Sequence, residues 1–188
     1  MGKIKEPLPV KLIASIFTAS GELLEEAKVR LSQEFGPIDY ESELLSFDHT
    51  AYYAAEFGEN LERRFVTFEK LVHPGRLAEI KRLTNALEME WAVGGRARKG
   101  KRRINIDPGY VSHSKLVLAT TKNHAHRIYL GQGIYAEVTL HFRDGAFRAW
   151  PWTYPDYASP PLISIFNQIR ALYIKQLRTI PNSQYPTR

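Results

Sequence analysis

The chain has 188 residues, of which 44% are hydrophobic and 12% aromatic, and it contains no cysteine. This composition predicts one globular domain, 1–188, with a core of its own, and excludes a disordered chain. The absence of cysteine excludes disulfides, thiolate nucleophiles and cysteine-bound zinc. No apolar run reaches the ~20 residues that a membrane span needs, and no signal peptide is visible. We therefore expect a soluble cytoplasmic protein with no membrane partner.

The net charge of +6 comes from one predicted loop. The loop takes six of the 26 basic residues, and the remaining 20 balance the 20 acidic residues of the chain. One interpretation is a solvated turn between two elements, and the other is a clamp for phosphate or RNA. The six residues are Arg96, Arg98, Lys99, Lys101, Arg102 and Arg103.

In chain order, the first half alternates between strand and helix patterns. The apolar, β-branched run at 10–18 predicts a buried strand, and Ser20 then caps a helix that ends at Gly36. A second helix begins near Leu77, where an apolar stripe recurs at helical spacing. Further strands are predicted at 40–48, 51–57, 64–71 and 103–107. This order predicts an α+β fold in which residues 7–107 form a ferredoxin-like βαββαβ unit.

The second half, 108–178, is predicted to be β-rich and to end in a helix. Strands are predicted at 115–120, 126–130, 134–142 and 146–150. Asp144-Gly145 is a hairpin signal, and Ser159 with two prolines begins the last helix. Pro108-Gly109 matches a type II turn, which predicts that the preceding strand ends at Asp107. The ferredoxin-like half is thus extended by an antiparallel hairpin sheet and a C-terminal helix, with a frayed tail at 179–188.

A P-loop match at 95–101 has the wrong surroundings for nucleotide binding. The run GRARKGK fits the first seven places of the motif, but Arg102 follows where a Ser or Thr should bind magnesium. A P-loop also leads from a strand into a helix, so that the helix N-terminus faces phosphate. Here a predicted helix precedes and a strand follows, so we interpret the match as chance.

Polar side chains with chemical uses crowd the segment 103–157, inside stretches that otherwise predict core strands. Because an unpaired buried charge is costly, such crowding indicates a lined cleft or a well-paired core. In the strand 134–142, Glu137 and His141 alternate with apolar residues that face the core. The candidates for proton transfer are Asp107, His126 and Glu137. The candidates for holding an anionic ligand are Lys122, Arg127, Tyr110, Tyr154 and Asp156.

Several of these residues keep a second interpretation. His124 and His126 lie on one side of an extended stretch and, with Glu137, could hold a divalent metal, or they are ordinary loop histidines. Asp107 is either a functional carboxylate at a strand end or the cap of a turn. The aromatic run at 150–157 either wedges the last helix onto the sheet or stacks nucleic-acid bases.

The chain resembles a known protein family in several of these segments. They are KLIASIF, RRFVTFEKLVHPGRLAEIK, NIDPGYVSHSKLVLATTKNHAHRIYLGQGIYAEVTLHFRDG and AWPWTYPDY. The family is the set of bacterial and archaeal proteins called domain of unknown function 4416, and the resemblance covers about 7–173. It implies no established activity. The positions that its motifs select here are Asp107, Gly109, Tyr110, Lys122, His126, Gly131, Gly133, Glu137, Tyr154, Asp156 and Tyr157.

Some members of that family are labelled GTP-binding proteins. The sequence does not support this label, because the P-loop is broken and TTKNH matches the guanine-reading N-K-x-D pattern only loosely. We expect first a small ligand-binding protein, with catalysis left open, for a phosphorylated or nucleotide-like compound. The alternatives are an RNA- or DNA-binding module that uses the loop at 96–103, and a structural protein with internally paired polar residues.

Overall fold

The computed structural model describes residues 2–46, 57, 60–93 and 101–180. Within these residues, three α-helices pack on a nine-stranded antiparallel sheet, which confirms the predicted α+β class. The helices are α1 (Gly21–Phe35), α2 (Leu77–Glu90) and α3 (Pro160–Arg178). The strands are β1 (Lys11–Thr18), β2 (Ile38–Glu41), β3 (Leu45–Ser46), β4 (Glu62–Phe68), β5 (Ile104–Val111), β6 (Lys115–Thr120), β7 (Ile128–Gly131), β8 (Ile134–Arg143) and β9 (Ala146–Ala149).

The strands form one continuous sheet across the two predicted halves. Their order is β2-β4-β1-β5-β6-β8-β7, with β3 beside β4 and β9 beside β8. β5 runs unbroken through the predicted boundary at residue 107, so both halves share it. The ferredoxin-like description of the first half stays a prediction. No helix in the described part of the chain is long and apolar enough to span a membrane.

The central strand β1 is covered on both faces. Leu12 and Ile16 pack against α1 and α2 on one face, while Ile13 packs against α3 on the other. All eight residues of β1 are buried, because side chains alternate between two covered faces. The hydroxyl of Ser20 accepts the Leu23 N–H at the start of α1, as predicted.

The predicted turn at Pro108-Gly109 is wrong. β5 continues to Val111 because β1 pairs with it over all eight residues and holds this dipeptide extended. Gly109 does not turn the chain but gives room for the neighbouring strand β6. A Cβ there would lie 2.4 Å from the carbonyl oxygen of Val117 on β6, so the glycine permits a close approach of the two strands.

The single apolar face predicted for 134–142 is also wrong. The register of β8 against β6 shifts between Val138 and Leu140, which is the signature of a β-bulge. Ile134 therefore packs beside α2, whereas Leu140 packs on the α3 side. Because the side chains change faces at the bulge, Glu137 and His141 do not share a face.

Some predictions fall on residues that the structure does not describe. These are the strand at 51–57 apart from Phe57, most of the P-loop match, the three residues Arg96, Arg98 and Lys99 of the basic loop, and the tail from 181. The hairpin at Asp144-Gly145 is described and is confirmed: both residues have positive φ, 51° and 82°.

Candidate functional site

β5 and β6 separate part-way along the sheet. Their ladder joins Gly109, Tyr110 and Val111 to the facing residues of β6 and goes no further. Pro108 is next in β5, and it has no N–H to extend the ladder. From Ile104 to Pro108, β5 pairs with β1 on one side, but within the described residues no strand pairs with it on the other side. A cleft opens at this fork.

Side chains of α2 occupy the place of the missing strand. The N–H of Ile106 donates to Oε1 of Glu88 over 2.7 Å. The carbonyl of Ile106 accepts from Nζ of Lys81 over 3.1 Å. Lys81 and Glu88 are seven residues apart, which places them on one side of the helix. The open edge of β5 is thereby satisfied without closing the space beyond it.

The cleft has a volume of about 730 Å³, which lies within the ~300–1,000 Å³ typical of small-molecule sites. β1, β4, β5 and α2 form one wall. β6, β8, the β6–β7 connection and the loop before α3 form the other. Its polar lining consists of Arg63, Lys81, Asn85, Glu88, Arg102, Asn105, Asp107, Thr120, Thr121, Lys122, Arg127, Glu137, Tyr154, Asp156, Tyr157 and Ser159.

The wall next to α2 contains two linked ion pairs. Nζ of Lys81 lies 2.9 Å from Oδ1 of Asp107, and Nη1 of Arg102 lies 3.1 Å from Oε2 of Glu88. Asn105 joins the pairs. Its amide donates to Oδ2 of Asp107 over 2.7 Å, and its amide oxygen accepts from Arg102 over 3.2 Å. The five side chains form one hydrogen-bonded network.

The pKa values of the two carboxyl groups on this wall shift in opposite directions. Burial raises the pKa of Glu88, and the nearby cations and backbone N–H offset only part of that rise. Burial also acts to raise the pKa of Asp107, but Lys81 and Asn105 outweigh it and leave the pKa below its usual value. Asp107 exposes 37% of its side chain. It is therefore the carboxylate of this wall that a ligand would meet in the ionised form.

The opposite wall is organised by Arg127. Its Nε lies 2.7 Å from Oε2 of Glu137, and both side chains are only 3% exposed. Its two other nitrogens donate to the Lys122 carbonyl over 3.0 Å and to the Tyr154 hydroxyl over 3.2 Å. Nε2 of His126 lies 3.2 Å from the same Glu137 oxygen. Arg127 thus ties the β6–β7 connection to β8 and to the loop before α3.

A third pair crosses between the walls. Nη1 of Arg63, on β4, lies 2.6 Å from Oδ2 of Asp156 in the loop before α3. The guanidinium also lies over the rings of Phe17, Phe65 and Tyr157, at 5.8, 5.8 and 5.6 Å from their centroids. Burial raises the pKa of Tyr157 far above its usual value, so its hydroxyl stays protonated.

The family model described as Domain of unknown function (DUF4416) matches residues 8–173. The chain belongs to this family. No curated protein and no solved structure matches it. The matched region contains every residue of the cleft, so the cleft is built wholly within the DUF4416 domain.

Six of the residues predicted for proton transfer or for holding an anionic ligand come together in the cleft of this DUF4416 domain. The predicted catalytic trio is not assembled as a unit, because Asp107 is on the α2 wall and Glu137 on the opposite wall. His126 lies behind Glu137 rather than on the cleft surface. Tyr110 instead packs against core residues beside α2. The six residues are Asp107, Lys122, Arg127, Glu137, Tyr154 and Asp156.

The geometry does not support the predicted metal site. The rings of His124 and His126 stack within 9° of parallel, with centroids 6.0 Å apart. The nearby Glu137 oxygen already accepts from Arg127, whose positive charge opposes a bound cation. Across the described residues, no three His, Asp or Glu side chains are grouped so that they could hold a metal ion.

The three residues at the described end of the basic loop, Lys101, Arg102 and Arg103, line one surface pocket. Arg102 turns into the cleft towards Glu88 and Asn105, whereas Lys101 and Arg103 are exposed. The interpretation of the loop as an anion clamp stays a prediction.

Sequence reasoning missed several cleft residues that come from the first half of the chain. Lys81, Asn85 and Glu88 recur at positions i, i+4 and i+7 beside the apolar stripe of α2, so a polar stripe was visible. Arg63 was missed because the predicted strand began one residue too late. Asn105 precedes Asp107 by two residues and shares its side of β5. None of these signals indicates which distant segment the side chain would meet.

Proposed function

We propose that this DUF4416 protein binds a small phosphorylated or nucleotide-like compound in the cleft between β5 and β6. The observation that supports it is a cleft of about 730 Å³ lined by five basic side chains. Four of them are oriented by a neighbouring carboxylate, so their donors are organised before a ligand arrives. The five are Arg63, Lys81, Arg102, Lys122 and Arg127.

The two walls suit different parts of such a ligand. Lys122 is exposed beside Arg127 and Tyr154, and these groups can donate to phosphate oxygens. On the other wall, Asp107 and Asn105 offer an ionised acceptor and an amide, which suit the hydroxyl groups of a sugar. The lowered pKa of Asp107 favours holding a hydroxyl over removing its proton at neutral pH. The proposal is therefore one of binding.

A thermal-shift screen tests this proposal. The panel contains nucleoside mono-, di- and triphosphates, sugar phosphates, the corresponding nucleosides and sugars, and inorganic phosphate. A compound whose free concentration is 100 times its Kd should raise the free energy of unfolding by about 2.7 kcal/mol. For a chain of this size, that corresponds to a rise in Tm of roughly 5–10 °C. The phosphorylated compounds should act more strongly than their parent compounds.

Lys122→Ala and Lys115→Ala form a matched pair for this screen. Both lysines are exposed, but only Lys122 lines the cleft. We expect Lys122→Ala to lose most of the ligand-induced shift and Lys115→Ala to keep it. The proposal fails if no phosphorylated compound raises Tm, or if the two variants respond alike.

A further inference from the structure

The outer edge of β8 is covered by strands at both ends but not in the middle. β6 occupies one edge of β8 along 135–141. β7 pairs with 134–136 and β9 with 140–143, so both lie at the other edge. Within the described residues, 137–139 has no strand on that side.

The loop that follows β9 closes this gap. Nε1 of Trp152 donates to the carbonyl of Val138 over 3.2 Å, and Oγ1 of Thr153 donates to the carbonyl of Thr139 over 2.6 Å. Oγ1 of Thr153 also accepts the N–H of Trp150 over 2.8 Å. These bonds fix the loop on the sheet edge and hold its two indoles side by side.

The indoles belong to a continuous row of five rings, which we call the ring row. From one end to the other it consists of His124, His126, Trp152, Trp150 and His141. The successive centroids are 6.0, 5.7, 5.2 and 4.2 Å apart. The first three contacts lie within 15° of parallel, and the last is tilted by 38°.

The ring row is open to solvent. Trp150 and Trp152 expose 36% and 39% of their surface, and His124 at the end of the row is exposed. The aromatic run was predicted either to wedge the last helix or to stack bases. Tyr157 does pack against α3, with its ring stacked on Phe166. The two indoles instead remain at the surface, and exposed aromatic groups of this kind commonly mark a contact with a ligand.

Basic side chains lie at both ends of the ring row. Lys115 and Arg148 are the cross-strand neighbours of His141 on its two sides, and both are exposed. Directly opposed residues of paired strands point to the same face, so both cations flank the last ring. At the other end, the exposed Lys122 precedes His124 by two residues. Glu137, which touches His126, is buried against Arg127.

We propose that the ring row binds single-stranded nucleic acid. The end ring, His124, stacks on one neighbouring ring, so a base can stack on its other face. The two indoles lie between neighbouring rings and offer a base their exposed edges. The flanking cations can neutralise phosphates. Sugars also pack on indoles, but they are held by amide and carboxylate groups, whereas cations at both ends of the row match a polyanion. Of the rings and their flanking cations, Lys122 also lines the cleft, and none belongs to the described end of the basic loop at 101–103.

Fluorescence anisotropy with a labelled mixed-sequence single strand, as RNA or DNA, tests the proposal. We expect binding at low salt that weakens steeply as salt is added. His124→Ala should weaken binding roughly 5- to 150-fold, the contribution of one stacked base, and Trp150→Ala should also weaken it by removing an exposed indole edge. Arg148→Ala should lower the salt dependence by about one unit of slope, whereas Arg178→Ala, an exposed arginine at the end of α3, should not.

Intrinsic fluorescence gives a second readout that does not depend on weakening the fold. The chain has three tryptophans, and Trp91→Phe leaves only the two of the ring row. Adding the unlabelled single strand should quench the emission of this variant, and adding the duplex should quench it much less.

Several outcomes would overturn the proposal. They are no binding at low salt, equal affinity for duplex and single strand, or ring-row variants that bind like the wild type. A labelled oligosaccharide that binds in place of nucleic acid, independently of salt, would also overturn it. Loss of binding only in Lys101→Ala or Arg103→Ala would move the interaction to the basic loop.

Discussion

Two lysine–aspartate pairs lie against the same sheet, and they differ in what surrounds them. Lys11 of β1 contacts Asp39 of β2, and Lys81 of α2 contacts Asp107 of β5. In each pair the lysine also donates to a backbone carbonyl, that of Phe68 over 2.7 Å in the first pair and that of Ile106 in the second. The chemistry is therefore the same at both places.

The first pair is enclosed by protein, whereas the second faces the cleft. We call them the closed pair and the open pair. Asp39 also accepts from Thr67 over 2.6 Å and from Gln176 over 3.2 Å, and its side chain is only 13% exposed. Burial lowers the pKa of Lys11, as expected for an ammonium group removed from water. Asp107, in contrast, faces the cleft with more than a third of its side chain accessible.

The neighbouring strand accounts for this difference. β4 lies between β1 and β2, so Lys11 and Asp39 find partners on β4 and, through Gln176, on α3. β5 loses β6 at Pro108, so the polar groups of α2 and β5 face an open space. Buried charge in a strand is thus a sign of a site only where the backbone leaves room for a ligand.

The largest effect should come from breaking the closed pair. Lys11→Met leaves the Asp39 carboxylate buried without its cation, and we expect a loss of about 3–5 kcal/mol in the free energy of unfolding. Urea unfolding measures this loss. Lys175→Met, on the exposed side of α3, is the control and should change stability by no more than about 0.5 kcal/mol. A small loss in Lys11→Met would show that water reaches the pair.

The next largest effect tests the close contact between β5 and β6 at Gly109, where the two strands begin to separate. A Cβ at Gly109 would meet the Val117 carbonyl at 2.4 Å and a Leu118 methyl at 2.7 Å. Gly109→Ala must therefore push β5 and β6 apart, at a cost of about 1–3 kcal/mol in unfolding free energy. Gly21→Ala meets nothing within 4 Å and is the matched control. If thermal unfolding of the two variants is the same, the strands are not in tight contact.

Breaking the open pair should cost less than breaking the closed one. In Lys81→Met, water in the cleft can hydrate Asp107, so the main loss is the donor to the Ile106 carbonyl, about 1–2 kcal/mol. Urea unfolding of this variant beside Lys11→Met ranks the two pairs, and equal losses would contradict the comparison. A cleft ligand should stabilise Lys11→Met as it does the wild type, and Lys81→Met much less.

The smallest effect is a pH dependence at Glu88. Its pKa is raised in the folded protein from an ordinary value of 4.5, so the folded state binds this proton more tightly than the unfolded state. The contribution to stability is complete below pH 4.5 and is lost as pH rises through the folded pKa. Glu88→Gln keeps an acceptor for the Ile106 N–H but does not titrate. Its stability relative to the wild type should therefore increase with pH above 4.5.

Urea unfolding at a series of pH values measures that difference. Glu79→Gln is the control, because Glu79 is exposed and Arg76 lowers its pKa. Its stability relative to the wild type should not increase over the same range. A flat profile for Glu88→Gln would mean that the cleft hydrates Glu88 as well as Asp107.

Local patterns were enough to predict the elements that depend on neighbours in sequence. The apolar run of β1, the Ser20 cap of α1 and the Asp144-Gly145 hairpin are set by side-chain periodicity and backbone preference, and each is confirmed. The crowding of polar residues after position 103 also led to six residues that line the cleft. Their chemical roles stay predictions.

Tertiary pairing decided the rest. Pro108-Gly109 is compatible with a turn or with an extended strand, and only the ladder with β1 selects the strand. Arg63 and Lys81 reach the cleft from segments far away in sequence, so no local pattern could place them there. The sequence by itself determined the α+β class, and it marked Lys122, Arg127 and Tyr154 as candidates for an anion site, which stays a prediction. The tertiary structure decided where two strands part, because a proline without an N–H leaves a gap only once its neighbours in the sheet are known.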